Sequence, residues 1–159
     1  MAELVYDETG RLLFTEEMAK EYTLVVPQML PVTFRMLVKL LELERMVLDT
    51  AEYHFDDSCI ILSVTEEMQN KTGCSGTDLE GIAVISRSVE GVKAGVTLKQ
   101  VGDKTFKISL RTYPPLDASK ICKKLGGGGH KGAAGATVEG TLEEVKALIL
   151  CAVKEEMEI

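Results

Sequence analysis

Long apolar runs and paired cysteines are both missing from this 159-residue sequence. A membrane-spanning helix needs about 20 consecutive apolar residues, and charged residues interrupt the apolar runs here well before that length. The acidic start, MAELVYDETG, lacks the basic region and apolar centre of a secretory signal. The four cysteines form no Cys-x-x-Cys pair. We therefore expect reduced thiols, a cytoplasmic protein and no membrane association.

Positive charge is scarce overall, and the net charge of −7 argues against a general nucleic-acid binder. The charge is unevenly distributed, because residues 87–132 contain ten basic and only three acidic residues. A basic segment in an acidic protein favours a local anionic ligand over the wrapping of a long duplex. The alternative is that most of these lysines only solvate the surfaces of strands and helices.

Hydrophobic periodicity predicts an α/β fold: a small mixed β-sheet with a central antiparallel hairpin and flanking helices. Strands are predicted over residues 58–64, 92–101, 104–112 and 134–140, and helices over 33–47, 65–73, 77–86, 117–126 and from 141 onward. The predicted helix caps are Thr65, Asp117, Gly126 and the capping box of Thr141 and Glu144. The hairpin needs an odd loop length or a bulge to align Leu98 with the row of Phe106 and Ile108. Its other face, which includes Arg111, is polar and is either solvated or a binding surface.

The stretch KKLGGGGHKGAAGATVEG, residues 123–140, places four consecutive glycines directly before His130. Successive glycines can direct several backbone N–H groups into one concavity that suits a phosphate. His130 adds a donor that can be charged near neutral pH, and the small residues after it keep the surface shallow. Arg111 precedes the helix that leads into this glycine-rich loop, and its guanidinium suits bidentate phosphate contact. Otherwise, such a run is a flexible connection.

Familiar phosphate and metal motifs do not fit this stretch. A dinucleotide-binding G-x-G-x-x-G follows a strand and precedes a helix, whereas these glycines follow a predicted helix and precede a strand. A Walker loop continues with Lys-Ser or Lys-Thr, and the sequence here is His130-Lys131-Gly132. His54 and His130 are the only histidines, and nothing has metal-ligand spacing, so no metal site is predicted.

The GGGGHKGAAG motif resembles that of the DHH-associated, C-terminal domain of the DHH phosphoesterases. The order of TGCSGTDLEGI, SVEGVKAGVTLKQ, KISLRT and LDASKICKKLGGGGHKGAAGA before a final helix is similar to one bacterial branch of that family. That branch degrades short oligoribonucleotides and dephosphorylates adenosine bisphosphate. The likeness covers residues 33–155 and implies a small mixed sheet with flanking helices that closes over a separate catalytic domain.

The resemblance also implies roles for individual residues. Arg111 of SLRT would bind a substrate phosphate, and Gly127, Gly128, Gly129 and His130 would line the pocket for the terminal nucleotide. In the family, two manganese ions are held by an N-terminal domain with an Asp-His-His triplet, which is absent from this sequence. The resemblance thus implies no catalytic residue, metal ligand or cofactor in this chain, which alone should be inactive, and manganese in the missing catalytic domain.

Two segments are expected: residues 1–32, a linker or remnant of the missing catalytic domain, and residues 33–159, the DHH-associated nucleotide-binding domain. The expected partners are a short RNA or small nucleotide and a catalytic DHH domain of the same parent chain. Acidic helices predicted at both ends serve either an interface, which would allow a homodimer, or solvation alone.

Two other functions remain open at this point. One is a non-catalytic RNA-binding module akin to the glycine-rich domain at the end of alanyl-tRNA synthetases, and the other is part of an exopolyphosphatase-like enzyme. Tyr113 is a candidate for stacking on a base, with Arg87 a lesser one. A tyrosine before two prolines is equally compatible with packing.

Overall fold

The structure is a computed structural model that describes residues 5–6, 12–13, 34–79 and 81–157. Contacts divide the chain into two compact units, Met1–Val38 and Lys39–Ile159. The first unit contains an antiparallel pair, β1 (Val5–Tyr6) and β2 (Leu12–Leu13). Apart from these strands, the linker predicted over residues 1–32 lies outside the described residues, and its boundary stays a prediction.

The second unit contains a six-stranded mixed sheet in the order β3–β4–β5–β6–β8–β7. Its strands are β3 (Glu52–His54), β4 (Cys59–Val64), β5 (Ala94–Gly102), β6 (Thr105–Thr112), β7 (Gly128–His130) and β8 (Ala133–Glu139). The helices are α1 (Phe34–Leu48), α2 (Glu66–Thr72), α3 (Ile82–Ile85), α4 (Ala118–Lys124) and α5 (Leu142–Glu156), with a 3-10 turn at Gly76–Leu79. β4 and β5 are parallel and the other pairs are antiparallel. The predicted fold class is confirmed.

Helix ends follow the capping residues read from the sequence. Thr65 accepts a hydrogen bond from the Met68 N–H at the start of α2. Asp117 accepts hydrogen bonds from two backbone N–H groups at the start of α4. Thr141 and Glu144 form the predicted capping box of α5, and the hydrogen bond from the Thr141 backbone N–H holds the pKa of Glu144 below its ordinary value. These local signals fix where the helices begin.

Several elements differ from the sequence-based prediction, among them β3 and the segment of residues 77–86. β3 was not predicted, because a three-residue strand offers too little alternation to recognise. The single helix predicted over residues 77–86 is instead a 3-10 turn and the four-residue α3. Gly81 lies directly before α3, and glycine is a poor helix former.

Apolar side chains cover one face of the sheet and, at β4, the other face as well. One layer lies between the sheet and helices α4 and α5, and the other combines β4 with α1 and with residues 68–92. β4 contributes to both, with Cys59 and Ile61 in the first layer and Ile60, Leu62 and Val64 in the second. This two-sided burial explains why β4 reads as a continuous apolar run rather than an alternating one. In the described part of the chain, no helix has the length and apolar character to cross a membrane.

The β5–β6 hairpin contains the predicted irregularity. The register shifts between Gln100 and Gly102, and Leu98 lies opposite Ile108. Phe106, Ile108 and Leu110 are therefore buried in the layer shared with α4 and α5. The intervening residues of β6 face the other way, which determines the side of the sheet on which Arg111 lies.

Burial should divide the four cysteines into reactive and unreactive thiols. Cys59, Cys74 and Cys122 are buried and Cys151 is exposed. Desolvation raises the pKa of Cys59 to about 12 and that of Cys122 to about 11, and the thiolate is the reactive form. We expect a chromogenic disulfide reagent at neutral pH to modify one thiol in the native chain and four after denaturation. Rapid native modification of a second thiol would contradict this burial pattern.

Candidate functional site

The sheet register brings Arg111 and His130 onto one face. Arg111 on β6 lies opposite Ala133 of β8, and His130 on β7 lies opposite the same Ala133. Directly opposed residues project from the same face of a sheet. Because neighbouring strands lie about 4.8 Å apart, the backbones of Arg111 and His130 are separated by roughly 10 Å. Two residues chosen from separate motifs thus flank one shared alanine, and we call Arg111, Ala133 and His130 the site row.

Small residues form the surface beside the site row. The next row along the same face contains Ser109, Gly135 and Gly128. Ala133, Gly135 and Gly128 are only half-buried, so solvent reaches them. Between Arg111 and His130 no side chain is larger than a methyl or hydroxymethyl group. A flat group or a phosphate can therefore approach the backbone of β8 closely.

The charges on this face are positive. Lys99 lies opposite Lys107, which is four residues from Arg111 along β6. The first acidic residue on this face of β8 is Glu139, in the further row opposite Thr105. The positive charge beside the site row favours an anionic ligand.

Arg111 itself is available for a ligand. Its side chain is half-buried, and its Nη1 donates to the Leu110 carbonyl oxygen at 3.2 Å. The ion pairs between described residues include neither Arg111 nor Lys107. A guanidinium has five N–H donors, so most of the donors of Arg111 can be directed at a bound anion.

The polar face predicted for the hairpin is open only on the side of β6. On β5, a Cβ atom at Gly95 would lie 2.7 Å from the carbonyl carbon and oxygen of Ser86, and Thr97 is buried. The chain that ends α3 therefore covers β5 and stops beside Arg111, the residue opposite Gly95. This covered half could not be read from the alternation of polar residues, because it depends on a long-range backbone contact.

Arg87 and Tyr113 form a stacked pair at this boundary. The guanidinium carbon of Arg87 lies 4.9 Å from the centroid of the Tyr113 ring. The Tyr113 N–H donates to the Lys93 carbonyl oxygen at 2.9 Å, which extends the β5–β6 pairing past the end of β6. Tyr113 thus projects from the same face as Arg111. Both residues were only minor candidates in the sequence analysis, since nothing in the sequence indicates that Arg87 reaches Tyr113.

The glycine stretch is an ordered helix end and strand rather than an open loop. The Gly126 N–H donates to the Lys123 carbonyl at 3.1 Å, and the Gly127 N–H donates to the Cys122 carbonyl at 2.9 Å. The next three residues form β7, and Leu125 rather than Gly126 is the C-cap of α4. The predicted nest is therefore not formed by Gly126 and Gly127, because the helix carbonyls accept their N–H groups.

The glycines contribute through their lack of a side chain. A Cβ atom on Gly127 would lie 2.1 Å from the Gly135 carbonyl oxygen. Gly129 has a φ of 148°, and its Cβ would lie 2.6 Å from the Cα of Ala134. Gly128 differs, because a Cβ there would meet nothing within 4 Å. Gly127 and Gly129 allow β7 to pair closely with β8, whereas Gly128 leaves the surface beside His130 uncovered.

Hydrogen bonds fix the turn that follows His130. The Lys131 carbonyl oxygen accepts from the Ala118 N–H at 2.7 Å and from the Thr112 Oγ1 hydroxyl at 2.8 Å. The Gly132 carbonyl oxygen accepts from the Thr112 N–H at 3.2 Å. β6 and α4 thus hold the β7–β8 turn from two sides. The alternative interpretation of this stretch as a flexible connection is wrong.

Two other features bear on the choice of site. A groove of about 380 Å³ lies elsewhere, between α2 and the end of β5, and is lined by Glu66, Gln69, Asn70, Gly73, Cys74, Ser75, Gln100 and Val101. It contains no basic residue, so it suits an anion less well than the site row. Within residues 34–79 and 81–157, no three His, Cys, Asp or Glu side chains are placed to hold a metal ion. The described residues therefore offer no set of donors that fits the manganese ions of the resemblance.

Comparison with known proteins identifies relatives that match most of this chain. The chain is 36% identical over 112 residues to the bifunctional oligoribonuclease and PAP phosphatase NrnA of Thermus thermophilus, a match covering 70% of this chain and 33% of NrnA. The chain thus spans about a third of the length of this curated relative. An exopolyphosphatase-related protein from Bacteroides fragilis matches with a TM-score of 0.68 and 28% identity, over 74% of this chain and 34% of that one.

A further solved structure shares the fold. The pGpG-specific phosphodiesterase PggH from Vibrio cholerae matches with a TM-score of 0.52 and 13% identity, over 74% of this chain and 40% of that one. The model of the DHHA1 domain family matches residues 56–158, a range that includes the site row and the whole glycine stretch. Because that range is more than half of the sequence and contains the motif on which the resemblance rests, the chain belongs to the DHHA1 domain family.

Proposed function

We propose that this chain is the substrate-binding domain of a metal-dependent phosphoesterase that hydrolyses short oligoribonucleotides or small nucleotides. The observation that carries the proposal is the site row, in which Arg111 and His130 flank a shallow floor on a basic face. The name of NrnA, oligoribonuclease and PAP phosphatase, supports this class of substrate. Hydrolysis would be performed by a DHH domain of the same parent chain that holds manganese.

The site row suggests how a ligand would be held. Arg111 would donate two parallel N–H bonds to phosphate oxygens, a geometry that its planar guanidinium provides. His130 would add a donor from the far side of the floor, and Gly128 and Gly135 would allow the sugar-phosphate to lie against the backbone. A row only two strand spacings wide suits one or two nucleotides rather than a long RNA.

A second candidate ligand is inorganic polyphosphate. The Bacteroides fragilis relative, which is named as exopolyphosphatase-related, favours it at 28% identity. The same cations would bind either ligand, so charge alone does not separate the two candidates. A competition experiment separates the two candidates. From a polyphosphate-binding domain, inorganic polyphosphate would displace a bound nucleotide more effectively than a second nucleotide would.

Salt dependence tests the size of the ligand. Each released counterion adds to the slope of log affinity against log salt, by about 0.7 per phosphate contacted in a single strand. We expect a 5′-phosphorylated diadenylate to bind this chain with a slope of about 1, measured by fluorescence anisotropy at several KCl concentrations. A tRNA-scale ligand bound with a several-fold steeper slope would instead indicate an RNA-binding module.

Activity tests the division of labour between domains. The same diadenylate, incubated with this chain and manganese, should remain intact, because the proposal assigns hydrolysis to the DHH domain. Metal-dependent cleavage by the purified chain would contradict that assignment. The binding measurement would then still show whether the site row holds substrate.

A further inference from the structure

We propose that the stacked side chains of Arg87 and Tyr113 form a base-stacking platform, which makes the site select nucleotides over inorganic phosphate chains. This inference rests on the proposed function, because it concerns the base of a ligand whose phosphate Arg111 would hold. The inference adds Arg87 and Tyr113, which lie outside the site row, and assigns them the recognition of a base, which a site for phosphate alone does not need.

The position of Arg87 is fixed by the chain that covers β5. Ser86 is fully buried, and its hydroxyl donates to the Ala83 carbonyl at 3.3 Å. The Arg87 N–H donates to the Val84 carbonyl at 3.1 Å. The backbone at Ser86 lies against Gly95, the residue opposite Arg111. Arg87 follows Ser86 directly, so its side chain begins at the segment that covers Gly95, beside the strand that carries Arg111.

Tyr113 lies at the distance that a nucleotide requires. It follows Arg111 by two residues in extended chain, so the two Cα atoms are about 6.7 Å apart. The ribose of one nucleotide bridges such a gap between its phosphate and its base. Tyr113 remains 41% exposed although Arg87 lies over its ring, so aromatic surface is still open to a ligand.

The chemistry of the pair suits a nucleobase. Bases stack on tyrosine rings and on the planes of arginine guanidinium groups, with little dependence on which base is present. The ion pairs between described residues do not include Arg87, so no carboxylate draws its guanidinium away from the ring. An inorganic phosphate chain has no planar face to stack on the Tyr113 ring, so it gains nothing from that ring.

Fluorescence tests the platform directly. The chain contains no tryptophan, so Tyr113→Trp introduces a single reporter. We expect adenosine 5′-monophosphate to quench its emission by stacking and pyrophosphate to leave it unchanged. Tyr53→Trp is the matched control, since Tyr53 is 50% exposed on β3 at the opposite edge of the sheet, and neither ligand should quench it. Unchanged emission of Tyr113→Trp while the nucleotide is bound would overturn the proposal.

Affinities separate this proposal from the one on which it rests. Tyr113→Ala should weaken adenosine 5′-monophosphate binding about tenfold, the loss expected for one stacked base, and leave pyrophosphate binding within about twofold. Tyr113→Phe should bind like the unaltered chain. An equal loss for both ligands would show that Tyr113 only supports the fold around Arg111, which overturns the platform.

Arg111→Ala is the third variant of this experiment, because it should weaken the binding of both adenosine 5′-monophosphate and pyrophosphate. If Arg111→Ala weakens nucleotide binding and Tyr113→Ala does not, the proposed function stands and the platform is wrong. If the unaltered chain binds neither ligand, the proposed function is wrong and the platform falls with it. Thermal unfolding of each variant identifies any that fails to fold.

Discussion

Gly127→Ala is expected to lower the free energy of unfolding by about 3 kcal/mol, near the upper end of the usual cost of overpacking. The added Cβ would lie 2.1 Å from the Gly135 carbonyl oxygen and 2.6 Å from the Cβ of Ala136. Neither contact can be relieved by rotating a long side chain, because one atom belongs to the backbone and the other is a methyl group. β7 would have to move away from β8. Denaturant unfolding of the variant and the unaltered chain measures the loss.

Gly128→Ala is the matched control in the same strand. No atom lies within 4 Å of a Cβ at Gly128, so we expect stability within about 0.5 kcal/mol of the unaltered chain. The new methyl group would lie on the floor beside the site row, where it should weaken nucleotide binding. Equal destabilisation by the two substitutions, or a stable Gly127→Ala, would contradict the pairing of β7 with β8.

Arg111→Ala is expected to weaken the binding of a short nucleotide at least tenfold. A charge-assisted hydrogen bond contributes about 1.5–3 kcal/mol, and the proposed contact includes two. Arg111→Lys retains the charge without the planar fork, so its affinity should fall between the other two. The unfolding free energy should change little, since the side chain's one hydrogen bond to a described residue is to the Leu110 carbonyl.

A charge control is needed because any lost cation weakens the attraction of an anion. Lys123→Ala removes an exposed charge from α4, a helix that packs on the other face of the sheet. Calorimetric titration should give this variant the affinity of the unaltered chain. If Lys123→Ala and Arg111→Ala lose affinity equally, the loss is an effect of net charge, and Arg111 does not contact the ligand.

The parts of the fold that the sequence predicted are those set by local rules. Alternation in β5 and β6 leaves one register that buries Leu98, Phe106 and Ile108 together, and the bulge follows from that requirement. Thr65 and Thr141 are helix caps whose partners lie three residues away. Each of these signals is complete within a short stretch of chain, so a single sequence was sufficient.

The arrangement of the site depended on contacts that short stretches do not contain. The motifs identified Arg111 and His130, but the shared neighbour Ala133 follows from a sheet order in which β8 lies between β6 and β7. The contact of Ser86 with Gly95 closes half of a face that alternation left open. The glycine run suggested free N–H groups, but two of these N–H groups donate to carbonyl oxygens at the end of α4.

Thr112 has a consequence for the thermodynamics of binding. Its N–H and hydroxyl hold the β7–β8 turn, and its neighbour in the chain is Arg111. The backbone on both sides of the site row is thus ordered before any ligand arrives. Binding would immobilise the ligand and a few side-chain rotamers but no loop, so little conformational entropy of the protein would be lost. The amide hydrogens of Thr112 and Ala118, which donate to the carbonyls of this turn, should accordingly exchange slowly in the free chain and at nearly the same rate in the complex.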